Sequence, residues 1–205
     1  MPQSVEEKAF KKLSREGQGW VFSPSDLAQL GSRAAIDLAL HRLTQKGLIR
    51  RVIRGVYVYP RRSKLLGQEL APDMDQVAHA LARKFGWRIH PSGPVAQNII
   101  GLSTQVPASF VYLSDGPSRS YKVSNTTLAF RHTALKEASL KLRESALIVQ
   151  ALKSLGPERI TASATAKIRK WLAPRLRIKV LADTKFVTTW IYAVISEVCA
   201  ESTDG

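Results

Sequence analysis

Apolar residues recur at helical spacing in several stretches of the chain, with short β-rich runs between them. Val5, Ala9, Phe10 and Leu13 share one face of a first predicted helix, Val5–Glu16, which Gly17 and Gly19 stop. Trp20-Val21-Phe22 is a short apolar run that predicts a strand or a sheet edge. Ser23-Pro24-Ser25-Asp26 then predicts a helix start, with Ser23 at the N-cap, Pro24 in the first turn and Asp26 placed to bond back. That helix is short, Pro24 to Leu30, and ends at Gly31; Ser32 caps the next helix at once. Within the latter, Ile36, Leu40 and Leu43 fall at i, i+4 and i+7 on one face, and Gly47 closes it as a residue free to take positive φ. Two β-rich runs follow, Leu48–Ile53 and Val56–Tyr59, joined at Arg54-Gly55 in a tight hairpin. Two helices joined by a minimal turn and followed by a basic ribbon predict a winged helix-turn-helix, whose second helix can enter a DNA major groove.

The segment Gln68–Asp75, QELAPDMD, is polar and contains a proline and three acids. It predicts a linker over 67–75, between a winged helix-turn-helix over 1–66 and a second domain over 76–205. Val77, Leu81 and Phe85 are in register on a helix from Asp75 to Phe85. Ile89–Pro94 is turn-rich, and Val95–Leu102 predicts a short helix ending at Gly101. Ser109–Leu113, Ser120–Val123 and Thr127–His132 read as three strands of a small antiparallel meander, with turns at Asp115-Gly116 and Ser124-Asn125. Helices follow over Leu140–Leu155, Ser163–Leu172 and Thr184–Ala200, the last with an apolar stripe that includes Phe186, Trp190, Ile191 and Val194. The predicted class is α+β: an N-terminal winged helix-turn-helix and a C-terminal mixed domain of a small antiparallel sheet and helices.

Composition adds one strong constraint. Across 205 residues, 31 Lys and Arg face 16 Asp and Glu, a net charge of +15 and a pI near 10.3. Residues 1–66 hold 13 of the bases and 5 of the acids, so positive charge is about twice as dense there as in the rest. Such an excess favours a polyanionic partner, nucleic acid ahead of a membrane surface. The most apolar stretch, Phe186–Ile195, is too short to cross a bilayer, and MPQSVEEKAF lacks the basic start and apolar core of a signal peptide. Cys199 is the single cysteine, which leaves no internal disulfide or cysteine-based zinc site and predicts a reducing compartment, the cytoplasm.

On the predicted recognition helix, Ser32, Arg33 and Ala34 sit at the end that enters the groove first, and Arg33 can make the bidentate contact to guanine. Arg33, Asp37, His41 and Gln45 fall on one line, with Arg42 beside them. Asp37 can accept from cytosine, or pair with Arg33 as an ordinary i, i+4 surface bridge. Arg50, Arg51 and Arg54 on the wing, with Arg61, Arg62 and Lys64 after it, are placed for phosphates or the minor groove. Strand alternation sends Arg50 and Arg51 to opposite faces, so the hairpin tip, Arg54, is the best placed. Tyr57 and Tyr59 share a face of an apolar strand and read as packing. A second basic cluster, Lys167, Arg169, Lys170, Arg175, Arg177 and Lys179, could line a surface for an acidic or phosphate-rich partner.

Catalytic chemistry is thin by comparison. The four histidines, His41, His79, His90 and His132, have no metal-ligand spacing. Asp115, Glu137 and Lys141 imitate a nuclease site but lack the strand-borne pair that would place a second carboxylate and a lysine around a metal. No Gly-rich phosphate loop is present. No catalytic residue, metal or cofactor is expected.

With both halves read, KGLIRRVIRGVYVYP, PSGPVAQNIIGLSTQVP and the strand–turn FVYLSDGPSR give the chain a resemblance to the AbiEi-like antitoxins of type IV, abortive-infection toxin–antitoxin systems. It covers the chain from about Ser4 to Val198 and rests on no catalytic signature. The resemblance implies a winged helix that binds inverted repeats in its own promoter as an autoregulator. It also implies a C-terminal domain that counteracts a nucleotidyltransferase-like toxin, without a tight complex being required. A monomer or weak dimer is expected. The second domain is compact for such a chain, which bears on how much antitoxin surface it keeps. A stand-alone winged-helix regulator and a protein- or RNA-binding module without a toxin partner are the other readings.

Overall fold

A computed structural model describes residues 3–63, 65, 67–105, 108–133 and 140–200. The chain divides into two compact units, residues 1–88 with 121–128, and residues 89–120 with 129–205. The class is α+β.

The first unit begins with α1 (Val5–Glu16), where Ser4 and Glu7 form a reciprocal capping box, and continues through β1 (Val21–Phe22). Pro24–Leu30 follows as a 3-10 segment, not an α-helix, with Ser23 N–H donating to the Asp26 carboxylate at 2.8 Å. Next come α2 (Arg33–Gln45), capped by Ser32, and the hairpin of β2 (Arg50–Ile53) and β3 (Val56–Val58). Gly47 sits at φ +67, which lets the Leu48 N–H reach back to the Leu43 carbonyl and close α2. The sheet order is β1-β3-β2, all antiparallel, with a bulge in β2 between Arg51 and Ile53. This is the winged helix-turn-helix order that the chain's pattern predicts.

Its core is Leu13 of α1, Phe22, Leu27, and Ile36, Leu40 and Leu43 of α2, closed below by Ile49. Tyr57 and Tyr59 pack against it, Phe22–Tyr57 at 6.0 Å and Phe10–Tyr59 at 6.3 Å between ring centroids.

The stretch expected to be a linker is ordered backbone of this unit. Ser63 N–H bonds Gln68 O, Leu70 N–H bonds Arg61 O, and Arg62 bridges Glu69. Beyond it α3 (Met74–Phe85) packs on β1, β3 and the 3-10 segment through a face that buries Val77, Ala78 and Leu81. Arg83 fastens it, donating to the Asp26 carboxylate at 2.8 Å and to the Val21 carbonyl at 2.9 Å. The first unit therefore runs to residue 88, past the expected boundary, because α3 has its apolar face here.

The second sheet has the order β4 (Ile89–Pro91), β5 (Ser109–Ser114), β7 (Thr126–His132), β6 (Arg119–Val123). Two expectations change. The turn-rich segment at Ile89 supplies an edge strand, antiparallel to β5, and β7 lies between β5 and β6, so the three later strands are not a simple meander. The helices of this unit are α4 (Gly93–Ile100), α5 (Arg143–Leu155), α6 (Ala162–Trp171), α7 (Arg177–Asp183) and α8 (Thr189–Cys199). Their core includes Ile148, Leu152, Ile168, Val180, Ile191 and Ile195. The pattern of apolar residues did not predict α7, and α8 starts at Thr189, which leaves Phe186 94% exposed and outside the stripe assigned to it.

Two long-range contacts set this unit. A Cβ on Gly93 would lie 2.1 Å from Ser154 Cβ and 3.1 Å from the Gln150 carbonyl, so the glycine lets α4 close on α5. Helix α5 has no cap from its own N-terminal residue; Asp183, at the end of α7, accepts from the backbone N–H groups of Lys141 and Leu142 at 3.0 Å each. Burial alone would raise the Asp183 carboxyl, but those two N–H donors and the Lys141 charge hold it below its usual value.

Gly93→Ala is expected to cost about 1–3 kcal/mol in denaturant unfolding, as overpacking does, and Ser154→Gly on that background recovers part of it. Asp183→Ala is expected to cost about 1 kcal/mol at neutral pH, the size of a lost cap. A carboxyl whose folded pKa is depressed stabilises above its unfolded pKa and loses this as pH falls through the folded one. The wild type's advantage over the variant should therefore be full above about pH 5 and vanish in acid, as thermal melts across that range would read out.

Candidate nucleic-acid interface

Helix α2 is amphipathic in the sense a reading helix requires. Ile36, Ala39, Leu40 and Leu43 are buried, and Ser32, Arg33, Asp37, Leu38, His41 and Gln45 are exposed. Arg33 Nε donates to the Asp37 carboxylate at 2.8 Å, so the i, i+4 bridge forms, with both side chains more than half exposed. Such a pair is worth a few tenths of a kcal/mol. A base edge or phosphate offering a bidentate contact can compete for that guanidinium. Leu38 is 50% exposed beside these polar residues, and sequence reading missed it. The signal was available: Leu38 falls outside the buried stripe of α2. An exposed leucine here offers a thymine methyl an apolar contact.

The other predicted residues separate into groups. Arg42 lies 3.8 Å from Glu6 of α1, and Lys46 is also ion-paired to Glu6, so Arg42 turns toward α1 and away from the Arg33–Asp37 line. Arg50 and Arg62 share Glu69, at 3.8 and 3.7 Å. Arg61 lines a cavity of about 300 Å³ with Glu16 and Asp73. Arg51 and Arg54 are exposed and, among the described residues, have no ion pair with a carboxylate. Lys64 lies outside the described residues.

The structure adds two sets of cations. Lys84, near the end of α3, places Nζ 3.3 Å from the Arg54 carbonyl at the wing tip and 5.2 Å from the Phe85 ring centroid. Burial, then the charges of Arg33 and Arg54, hold its pKa below the usual lysine value. No local pattern marks Lys84, because it stands 30 residues beyond the turn it meets. Lys8, Lys11, Lys12 and Arg15 line a cleft of about 520 Å³ with Gln29 and Leu30.

In the second unit, Lys167, Lys170, Arg175 and Lys179 are exposed. Arg169 is occupied with structure: its guanidinium donates to the carbonyls of Val198 and Glu197 at 3.2 and 2.5 Å and caps α8. Arg177 lines a cavity of about 350 Å³ with Arg169, Lys170 and Glu197. In the same unit Ile178 is 81% exposed and Phe186 94% exposed, two apolar side chains that the charge pattern did not mark.

For the remaining chemistry, Ser114 Oγ accepts from the Gly116 N–H at 3.0 Å and His132 Nδ1 lies 3.0 Å from the Gly116 carbonyl, so Ser114-Asp115-Gly116 is a side-chain-braced turn. Lys141 gives its backbone N–H to Asp183, and Glu137 lies outside the described residues. Among the described residues, no three His, Cys, Asp or Glu side chains gather where they could hold a metal ion, and no helix is long and apolar enough to cross a membrane.

Residues 8–179 match a family described as a family of unknown function, DUF6088, and the chain belongs to that family. No curated protein matches it. Among solved structures, the RV2827C protein from Mycobacterium tuberculosis aligns with 88% of this chain and 71% of its own, at 14% identity and a TM-score of 0.39. A likeness that distant carries no argument here.

Proposed function

We propose that the protein is a DNA-binding transcriptional autoregulator that doubles as an antitoxin of the AbiEi-like, type IV kind. Its winged helix takes promoter repeats, and its second unit counteracts a nucleotidyltransferase-like toxin. The observation that carries the DNA half is the wing itself: Arg51 and Arg54 are exposed on the hairpin and, among the described residues, no carboxylate pairs with them. In this reading Ser32 and Arg33 meet base edges, Asp37 and His41 lie further along the groove, and Leu38 meets a thymine methyl. Arg51 and Arg54 hold phosphates, with Arg50, Arg61 and Arg62 at the margin. The site does no chemistry on the duplex, needs no cofactor, and works in the cytoplasm.

The antitoxin half has a separate support. Ile178 and Phe186 are exposed in the stretch of chain that also exposes Lys167, Lys170, Arg175 and Lys179, and exposed apolar side chains among charges suit contact with another protein. Arg169 holds the end of α8 in the same unit, and Arg177 belongs with the basic residues of this surface.

Duplex binding tests the first half. Five to eight phosphate contacts give a log–log salt slope of roughly −4 to −7, and the chain's own upstream repeats should bind more tightly than a scrambled duplex. Arg33→Ala should cost about 1–3 kcal/mol and relax sequence preference, whereas Arg54→Ala should weaken every duplex alike. Equal affinity of the wild type for promoter and scrambled DNA would reject specific recognition. For the second half, co-expression with the product of the adjacent reading frame reads out protection. The double variant Ile178→Ser, Phe186→Ser should lose protection while keeping promoter binding.

A further inference from the structure

Two cations from separate elements meet at the tip of the wing, Arg54 in the hairpin turn and Lys84 from α3, and the charge of Arg33 at the start of α2 also acts on Lys84. Lys84 Nζ is held against the Arg54 carbonyl, and it fits there because residue 55 is glycine: a Cβ at Gly55 would stand 2.8 Å from the ammonium. Gly55 also has φ +73, so the turn itself favours glycine.

The arrangement is costly as it stands. Like charges are drawn together where Lys84 is already partly buried, and both Arg33 and Arg54 act on it. The one carboxylate paired within the group is Asp37, already bridged to Arg33. A single carbonyl bond does not account for an ammonium here, since water or any neutral donor could satisfy that oxygen. An anion at the wing tip could offset the charges of Lys84 and Arg54.

We propose that Arg54 and Lys84 close on one phosphodiester of a bound duplex, so that α3 is part of the interface and not only a buttress behind it. The inference rests on the duplex-binding reading above. In it, Lys84, whose ammonium lies 5.2 Å from the Phe85 ring centroid, gives the phosphate a charge-assisted hydrogen bond, and the wing tip is held at the backbone by a residue outside the helix-turn-helix. The contact is sequence-independent, as phosphate contacts are.

The test uses the full chain, a duplex of its own upstream repeats and a scrambled duplex of equal length, titrated over a range of salt. Lys84→Gln should weaken both duplexes by the same factor, roughly fivefold or more, and flatten the salt slope by about one. Lys84→Arg, which keeps the charge, should retain affinity and slope. Two results would overturn the site while leaving the DNA reading intact. One is wild-type affinity and slope in Lys84→Gln. The other is an equal loss in Lys84→Gln and Lys84→Arg, which would make Lys84 a prop for the wing. If the wild type binds neither duplex, the site and the reading fall together.

Discussion

The apolar stripe beneath α2 is the constraint from which the rest of the first unit follows. Ile36, Leu40 and Leu43 are fully packed against Leu13, Phe22 and Leu27, and that burial sets the rotation of the helix about its own axis. Turning α2 so that Arg33 faced inward would expose those side chains at about 1.5–3 kcal/mol each. Arg33, Asp37, Leu38 and His41 point outward because their neighbours cannot. The same core fixes the wing, since Tyr57 and Tyr59 pack on it and β2 is tied to β3 through the register of Arg51 with Tyr57.

The charge distribution is uneven in an informative way. The first unit's acids are few, and most are committed. Glu6 takes Arg42 and Lys46, Glu69 takes Arg50 and Arg62, and Asp26 takes Arg83 while closing the Ser23 cap. Each of these carboxylates holds one element to another, and each quiets a cation that a count of basic residues would have scored as available. What they leave includes Arg51 and Arg54 at the wing and the Lys8, Lys11, Lys12 and Arg15 cleft on α1. A net charge of +15 is therefore a poor guide to the interface, and the positions of a few acids are a better one.

The second unit is built on different terms. Its helices close on a shared apolar core, but the two features that let them do so come from outside each helix: the space at Gly93 for Ser154, and the Asp183 carboxylate at the start of α5. Arg169 plays the corresponding part at the end of α8. Gly93, in the segment PSGPVAQN, thus has a packing role in this chain. The exposed Ile178 and Phe186 do not serve that core, which is why the proposed partner surface is set there.

Much of the first unit was legible because its signals are local. The Ser23–Asp26 cap, the α2 stripe, the Gly47 stop and the Arg54-Gly55 turn each lie within a few residues, and short-range geometry decides them. The α+β class follows from the same periodicities, as do most helices and strands of the second unit. What depended on distant residues was not legible. Nothing near Met74 says that α3 belongs with β1, nothing near Ile89 that it pairs with β5, and nothing near Thr126 that β7 separates β5 from β6. At the candidate site the residue types came from the chain's pattern, but which arginines are spent on carboxylates came from the fold. Lys84 reached the wing only through the packing of α3. The physical reason is common to all of these: hydrogen-bonding and periodic preferences act over one or two turns, whereas a charge or an apolar face finds its counterpart wherever the folded chain happens to bring one.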